Sequence, residues 1–451
     1  MSQRGRSIIL AAYLLLCILL GGSSQGVWRN LSLQLLGIAI IAWAAIRPRA
    51  PEDDSETTWP AFALLGLGLL VVLLQLVPLP ASIWTQLPGR SAVAAALEAV
   101  GAGLPAMPLS LAPYESVRSL FGLIPGLALF LAVLMLRPSP RWLALAVVAG
   151  MTFSIALGAF QAASGRSSWA YLYNHTNPGA VGVFANLNHM GTLLLVSIPF
   201  ATALLVSTKS DRGGSRQGRI AIGIAGLVLI LTGTFLNGSL AVLALAPPVL
   251  LASAALVPAA ARWRWIALPL SVLSLIGAVG LLAFSSPGST LSSLSESTSV
   301  KSRQQLWTTT TEAIRDSFPA GTGLGTFEQA YRQHEKPAEI VPQYVNNAHN
   351  DYLEFVLELG APGLVLIVLF LAWWGVTALK VWTSQLSTPV GRSATIASAA
   401  ILAYSIVDYP LRTSAIMAIF GAALAMMVQR QRSARPREER QMRSTRHVKL
   451  G

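Results

Sequence analysis

Apolar runs long enough to cross a bilayer recur along this chain, and no other feature constrains its fold as strongly. A crossing helix needs about 20 mostly apolar residues. Runs of that kind fall near 7–22, 31–46, 60–77, 117–136, 141–162, 190–207, 219–235, 239–260, 264–284, 352–379, 393–407 and 412–429. They predict an all-α, polytopic membrane protein of about 12 transmembrane helices, with a long extracytoplasmic helical loop between spans nine and ten. The charge content agrees. Only 11% of residues are Asp, Glu, Lys or Arg, whereas a soluble domain carries about 25%. So few charges cannot clothe a water-facing surface, and 53% hydrophobic residues exclude a disordered chain.

Two runs, 31–46 and 393–407, are short. The run 239–260 holds Pro247-Pro248, which removes two donors and predicts a kink or break. Arg4 and Arg6 ahead of the first run resemble a signal peptide, but no convincing small-residue cleavage site follows. An uncleaved first helix is therefore expected. The single cysteine, Cys17, excludes an intramolecular disulfide and makes a Cys-based zinc site or redox role very poorly supported.

Basic residues report orientation in such a protein. With the N-terminus in the cytoplasm, 22 of the 32 Lys and Arg residues fall on the cytoplasmic side, and both termini are expected there. The basic tail, 431–451, reads as an anchor for anionic lipid headgroups. It lacks the folded module or aromatic interleaving that nucleic-acid binding requires. The chain thus divides into N-terminal helices (1–140) with an extracytoplasmic loop near 78–116, a region 141–430 with the long loop 285–351, and the tail.

Unusual polar residues gather on the extracytoplasmic face. The densest cluster is Asn346-Asn347-Ala348-His349-Asn350-Asp351-Tyr352-Leu353-Glu354, which ends the long loop and opens the tenth span. Asn350 or Asp351 suits a helix cap, with Glu354 in a box-like arrangement. Capping needs neither the histidine nor two preceding asparagines. A histidine beside a carboxylate suits a general base, so His349 is the expected functional group. A metal centre is disfavoured, because His175, His189, His334 and His447 show no ligand spacing to it.

Upstream, Lys301-Ser302-Arg303 opens an amphipathic stretch with Leu306, Thr310, Ala313 and Ile314 on one face. Arg303 can bind phosphate bidentately without losing charge, as a lipid-linked pyrophosphate donor would require. The glycine run 321–325 lacks the Gly-Lys-Ser/Thr ending of a phosphate loop and reads as a tight turn between helices. Asn186-Leu187-Asn188-His189 opens span six, and Asp408-Tyr409-Pro410-Leu411-Arg412 separates spans eleven and twelve. Asp408 and Arg412 are either a functional pair of edge charges or partners for each other.

Five motifs together, Ala-Asn-Leu-Asn-His (185–189), Ser-Arg-x-x-Leu-Trp (302–307), the Gly-x-Gly-Leu-Gly-Thr-Phe run to 327, Ala-His-Asn-Asp-Tyr-Leu-Glu (348–354) and Val-Asp-Tyr-Pro-Leu-Arg (407–412), resemble the O-antigen ligase and polymerase family. The resemblance spans about residues 140–430. It implies a metal-independent, cofactor-free glycosyltransferase of the bacterial inner membrane with a periplasmic active face. The donor would be an undecaprenyl-pyrophosphate glycan, and the acceptor lipid A-core for a ligase or a growing glycan for a polymerase. By that likeness His349 is the base and Arg303 binds the donor pyrophosphate, with Asn347, Asn350, Asp351, Glu354, Asp408 and Asn188 supporting them. Family members commonly carry Ser-Arg-Gly where span seven meets span eight. Here the stretch reads Leu236-Asn237-Gly238-Ser239-Leu240-Ala241, so a second donor cation would come from Arg412, Arg118 or Lys301. A non-enzymatic membrane carrier is the remaining alternative, disfavoured because the charges cluster at one face rather than deep in the spans.

Overall fold

The computed structural model describes residues 1–24, 26–46, 55–164, 169–173, 180–207, 216–284, 297–337 and 345–429. The tail, and the parts of the long loop at 285–296 and 338–344, lie outside the described residues, as do His175, His447 and the side chain of Lys301.

Every apolar run is helical. The first four are α1 (Gln3–Leu20), α2 (Val27–Ile46), α3 (Ser55–Leu74) and, after two short helices, α4 (Ala81–Trp84) and α5 (Ser91–Ala99), the pair α6 (Pro113–Gly122) and α7 (Ile124–Leu136). Then come α8 (Pro140–Ser164), α9 (Leu187–Ser207), α10 (Arg216–Asn237), α11 (Leu240–Ala254) and α12 (Arg264–Phe284). The long loop supplies α13 (Ser297–Ser317) and α14 (Phe327–His334), and α15 (Asp351–Thr383), α16 (Pro389–Tyr404) and α17 (Ser414–Val428) complete the chain. A two-residue antiparallel ribbon, β1 (Pro78–Leu79) with β2 (Met107–Pro108), is the exception to an all-α protein. Among the described residues, seven helices are long and apolar enough to cross a membrane, and α11, α17 and segments of α3 and α10 form shorter apolar helices.

Large apolar side chains remain exposed along the outer helices. On α12, Ile266, Val272, Leu273 and Ile276 face outward, which is tolerable only where lipid replaces water. Exposed Trp28 and Trp169 mark one end of the bundle, and exposed Trp59, Trp263 and Trp265 the other, the arrangement of aromatic belts at two membrane interfaces. The first helix is integral to the bundle. Leu10, Leu14 and Ile18 are fully buried as α1 packs on α8 and α17.

Close packing depends on small residues where helices touch. At the α7–α17 contact, a Cβ added to Gly421 would meet the Gly126 carbonyl oxygen at 2.2 Å, so only glycine permits that approach. Of the kink or break expected at Pro247-Pro248, a break does not occur, since α11 runs through both prolines. Packing on α9 and α12 holds the helix together despite the two lost backbone donors.

The break lies instead in α15. Gly360 has φ 64°, and a Cβ there would sit 2.1 Å from the Pro319 carbonyl oxygen. The backbone groups this break frees are satisfied by the glycine run. Thr322 N donates to Leu357 O (3.0 Å), Gly323 N to Glu358 O (2.8 Å) and Ala361 N to Pro319 O (2.9 Å). Gln75 spans the same splice, donating to Glu358 O (2.9 Å) and accepting from Leu324 N (3.1 Å). Buried Arg90 donates to the Leu109 and Gly321 carbonyls, and burial pushes its guanidinium down to about 10. The glycine run is therefore a turn that stitches the break, not a phosphate cradle.

Candidate active site

At one end of the bundle several helix termini converge. Gly22 O accepts from Ala185 N (3.1 Å), Gly21 O from Ala415 N (3.0 Å), and Ser405 O from Asp351 N (2.9 Å). These bonds tie the end of α1 to the starts of α9 and α17, and the end of α16 to the start of α15. The opposite end carries Arg137, Arg141, Lys380 and Arg392.

The start of α15 is capped much as its sequence suggests. Asn350 is the cap, its side-chain oxygen accepting from Tyr352 N and Leu353 N, both at 3.0 Å. Glu354 reaches back to accept from Ala348 N (2.9 Å). These bonds hold the chain in a tight turn, and His349 takes a left-handed backbone conformation, φ 49°, that non-glycine residues adopt only under constraint.

That turn sets His349 Nδ1 3.1 Å from Asp408 Oδ1, with the histidine side chain 28% exposed and the carboxylate fully buried. Asp408 Oδ1 also accepts from Tyr409 N (2.9 Å). Burial pushes the Asp408 carboxyl up, but His349, His189 and Arg303 outweigh it and hold the group below the ordinary carboxylate range. The two groups are within ion-pair distance, although His349 Nδ1 has no partner of hydrogen-bond geometry among the described residues; a carboxylate this close to an imidazole is the neighbour that can orient a general base. The charge of half-buried Arg303 acts on Asp408 and Tyr404. Tyr404, Ser239 and Asn188 form a hydrogen-bonded group beside it. Ser239 donates to Asn188 Oδ1 at 2.8 Å, Tyr404 donates to the same oxygen at 3.3 Å, and the two hydroxyls are 3.2 Å apart.

Of the two readings open for Asp408 and Arg412, mutual pairing is not found among the described residues. Asp408 faces His349, while Arg412 turns to three carboxylates on successive turns of α15. Its Nη2 lies 3.0 Å from Glu358 Oε2 and 3.2 Å from Glu354 Oε1, and its Nε lies 3.8 Å from Asp351 Oδ1. Positions 351, 354 and 358 share one helix face, and the turn before α17 delivers the arginine to it. Asp351 also accepts from Ser405 Oγ at 2.7 Å. With its guanidinium so engaged, Arg412 is not a free cation for donor phosphate. Exposed Arg118 pairs with Glu115 at 3.3 Å.

Next to this cluster opens a cavity of about 1040 Å³. Its walls are mostly apolar, from Leu65, Leu69, Phe130, Phe355 and Phe420, and its polar residues include Asn347, Glu354, Glu358, Arg118 and Arg412. Buried Asn347 thus lies on the cavity wall, whereas His349, two residues on, Asp408 and Arg303 are not among its lining residues.

Residues 225–368 match the O-antigen ligase family model. The match supports placing the chain in the O-antigen ligase and polymerase family. That family is glycosyltransferase-like, which supports an enzyme acting on glycan and lipid-linked substrates. No curated protein matches the chain. Arg303, His349 and the three α15 acids lie inside the matched segment; Asp408, Arg412 and His189 lie outside it. His189 closes the Ala-Asn-Leu-Asn-His motif, which by itself gives it no role. It packs edge-on against Tyr409, ring centroids 5.0 Å apart, and Tyr409 meets His349 in the same way at 4.8 Å.

Proposed function

We propose that this protein transfers a glycan from an undecaprenyl-pyrophosphate donor to an acceptor hydroxyl at the periplasmic face of the bacterial inner membrane, as an O-antigen ligase with a lipid A-core acceptor. The observation that carries the reading is the His349–Asp408 contact at 3.1 Å, with the charge of Arg303 acting on the same carboxylate. In this reading the acceptor oxygen attacks the anomeric carbon while the bond to the pyrophosphate oxygen breaks. His349 takes the hydroxyl proton, Asp408 stabilises the imidazolium, and Arg303 neutralises charge developing on the leaving group. The apolar cavity suits the hydrocarbon chain of a lipid-linked substrate, with its polar end toward the site. The basic end of the bundle then faces the cytoplasm, in keeping with the positive-inside rule. Arg412 and Arg118 are both paired with acids, so Lys301, whose side chain lies outside the described residues, is the remaining candidate for a second donor cation.

The test is transfer by purified protein from a synthetic undecaprenyl-pyrophosphate glycan to lipid A-core. His349→Ala lowers turnover by about 10²- to 10⁴-fold, the range for losing a general base. Arg303→Ala weakens donor use more than Arg303→Lys does. Folded variants that transfer glycan as fast as wild type refute the assignment. A ladder of extended products, rather than one transferred block, makes the protein a polymerase.

A further inference from the structure

At the end of the bundle away from the candidate active site lies a second, smaller pocket of about 430 Å³, within the size range of ligand sites. The first turn of α12 gives it Arg264 and Trp265, and the last turn of α15 gives it Trp382 and Thr383. Gln385, just past α15, and Arg392, on the first turn of α16, complete its polar wall. Two arginines thus line one pocket, and no Asp or Glu lines it among the described residues. Like charges gathered in one place repel, and the charges of Arg264 and Arg392 act on each other.

Arg392 is built into the wall. Its Nη2 donates to Ser384 O at 3.2 Å, and its guanidinium lies over the Trp382 ring, 5.7 Å from the centroid. Trp382 is itself fixed, its indole N–H donating to Thr395 Oγ1 at 2.8 Å. Capping the end of α15 accounts for the bond to Ser384, but it occupies one nitrogen only. Arg392 Nε is buried and has no partner among the described residues, and a cap needs neither Arg264 nor Trp265.

The setting indicates the occupant. Trp265 and its neighbour Trp263 are exposed, as aromatic side chains are at headgroup depth. From that level Ile266, Leu270 and Leu273 descend one face of α12, each exposed, so the pocket leads onto an apolar stripe. α12 packs chiefly on α11, which leaves its other side to lipid. A phosphate matches two guanidinium groups, and the stripe beneath matches hydrocarbon chains, which a soluble phosphate lacks.

We propose that this pocket binds one anionic phospholipid, with its phosphate between Arg264 and Arg392, its headgroup against Thr383 and Gln385, and its acyl chains along α12, so that the lipid joins the start of α12 to the end of α15. Basic pockets between membrane helices hold such headgroups. The site is separate from the one assigned to glycan transfer, and no bond is made or broken there.

The experiment uses the full chain, purified in detergent and titrated with phosphatidylglycerol, with bound lipid counted by native mass spectrometry. Arg264→Gln with Arg392→Gln is expected to weaken the tightest phosphatidylglycerol binding about 10- to 30-fold, the combined effect of two arginines at a headgroup. Arg4→Gln with Arg141→Gln removes two exposed charges from the same end but outside the pocket, and is expected to change binding by less than about twofold, since solvent screens them. Phosphatidylglycerol is also expected to raise the melting temperature of wild type and of this control, but not of the pocket variant. A pocket variant that binds as wild type does, or that loses no more affinity than the control, overturns the proposal. So does glycerol phosphate, which has no acyl chains, if it raises the melting temperature as much as the lipid. If the double variant does not fold, Arg264→Gln alone decides by the same titration, with an expected loss of about fivefold, because it leaves the contacts of Arg392 with Trp382 and Ser384 in place.

Discussion

Removing Arg412 is the sharpest test of how this site is held together. The guanidinium contacts Glu358 through two nitrogens, at 3.0 and 3.4 Å, reaches Glu354 at 3.2 Å and approaches Asp351 at 3.8 Å. Glu354 and Glu358 are almost wholly buried. Burial pulls the Arg412 guanidinium down, but the three carboxylates hold it above its ordinary value. At an effective dielectric of about 20, a unit pair 4 Å apart is worth roughly 4 kcal/mol before desolvation is counted. Desolvation offsets much of that gain for an intact cluster, but truncation leaves buried acids uncompensated, at about 3–5 kcal/mol. Arg412→Ala is therefore expected to lose about 3–5 kcal/mol of stability, and Arg412→Ala with Glu358→Gln to regain part of it, because one uncompensated charge is gone. The assay is denaturant unfolding of the protein in detergent, followed by near-ultraviolet circular dichroism across the double-mutant cycle. A loss of about 1 kcal/mol or less, the value of an exposed pair, refutes the reasoning. So does additivity of the two substitutions to within about 0.5 kcal/mol.

Other outcomes follow from the same geometry. Asp408→Asn leaves the shape of the site intact but takes away the partner of His349, so transfer by the variant falls by about 10²- to 10⁴-fold, measured as kcat at equal folded protein. Asp408 is held below its ordinary value, so the stability it lends is present above that value, near 4, and is lost as the pH falls beneath it. The melting-temperature gap between wild type and Asp408→Asn is accordingly widest near neutrality and closes on acidification below about pH 4, which a thermal-shift series across pH checks. Gly421→Leu forces α7 from α17, since even a Cβ meets the Gly126 carbonyl at 2.2 Å; a loss of about 1–3 kcal/mol or more is expected in unfolding titrations.

What the sequence reveals about this protein depends on how far along the chain each interaction reaches. Apolar runs, the Asn350 cap, the back-reach of Glu354 and the buried face of α13 at Leu306, Thr310 and Ala313 all follow from spacings of a few residues, and local spacing predicts them. Positive charge at helix ends is likewise a local property. The break in α15 is less visible, because Gly360 is unremarkable until Pro319 is known to press on it from some forty positions away. Pro247-Pro248 misleads for the converse reason: the local cost is real, but packing from α9 and α12 outweighs it.

The site divides along the same line. His349 stands out in sequence because it is surrounded by polar residues in an apolar chain. His189 is visible in sequence only as the end of the Asn186-Leu187-Asn188-His189 run, which assigns it no role. Its distinction is three-dimensional: two unpaired nitrogens, and a tyrosine ring shared with a histidine from another part of the chain. Asp408 and Arg412 show the limit most plainly. Four residues apart and opposite in charge, they invite pairing by sequence, yet the turn that carries them points one toward the loop before α15 and the other along the face of that helix. One charge serves the exposed imidazole and the other neutralises buried acids. The same turn thus sets the neighbour of His349 and the anchoring of the helix that follows it, so a substitution that loosens Arg412 is expected to disturb His349 without touching it.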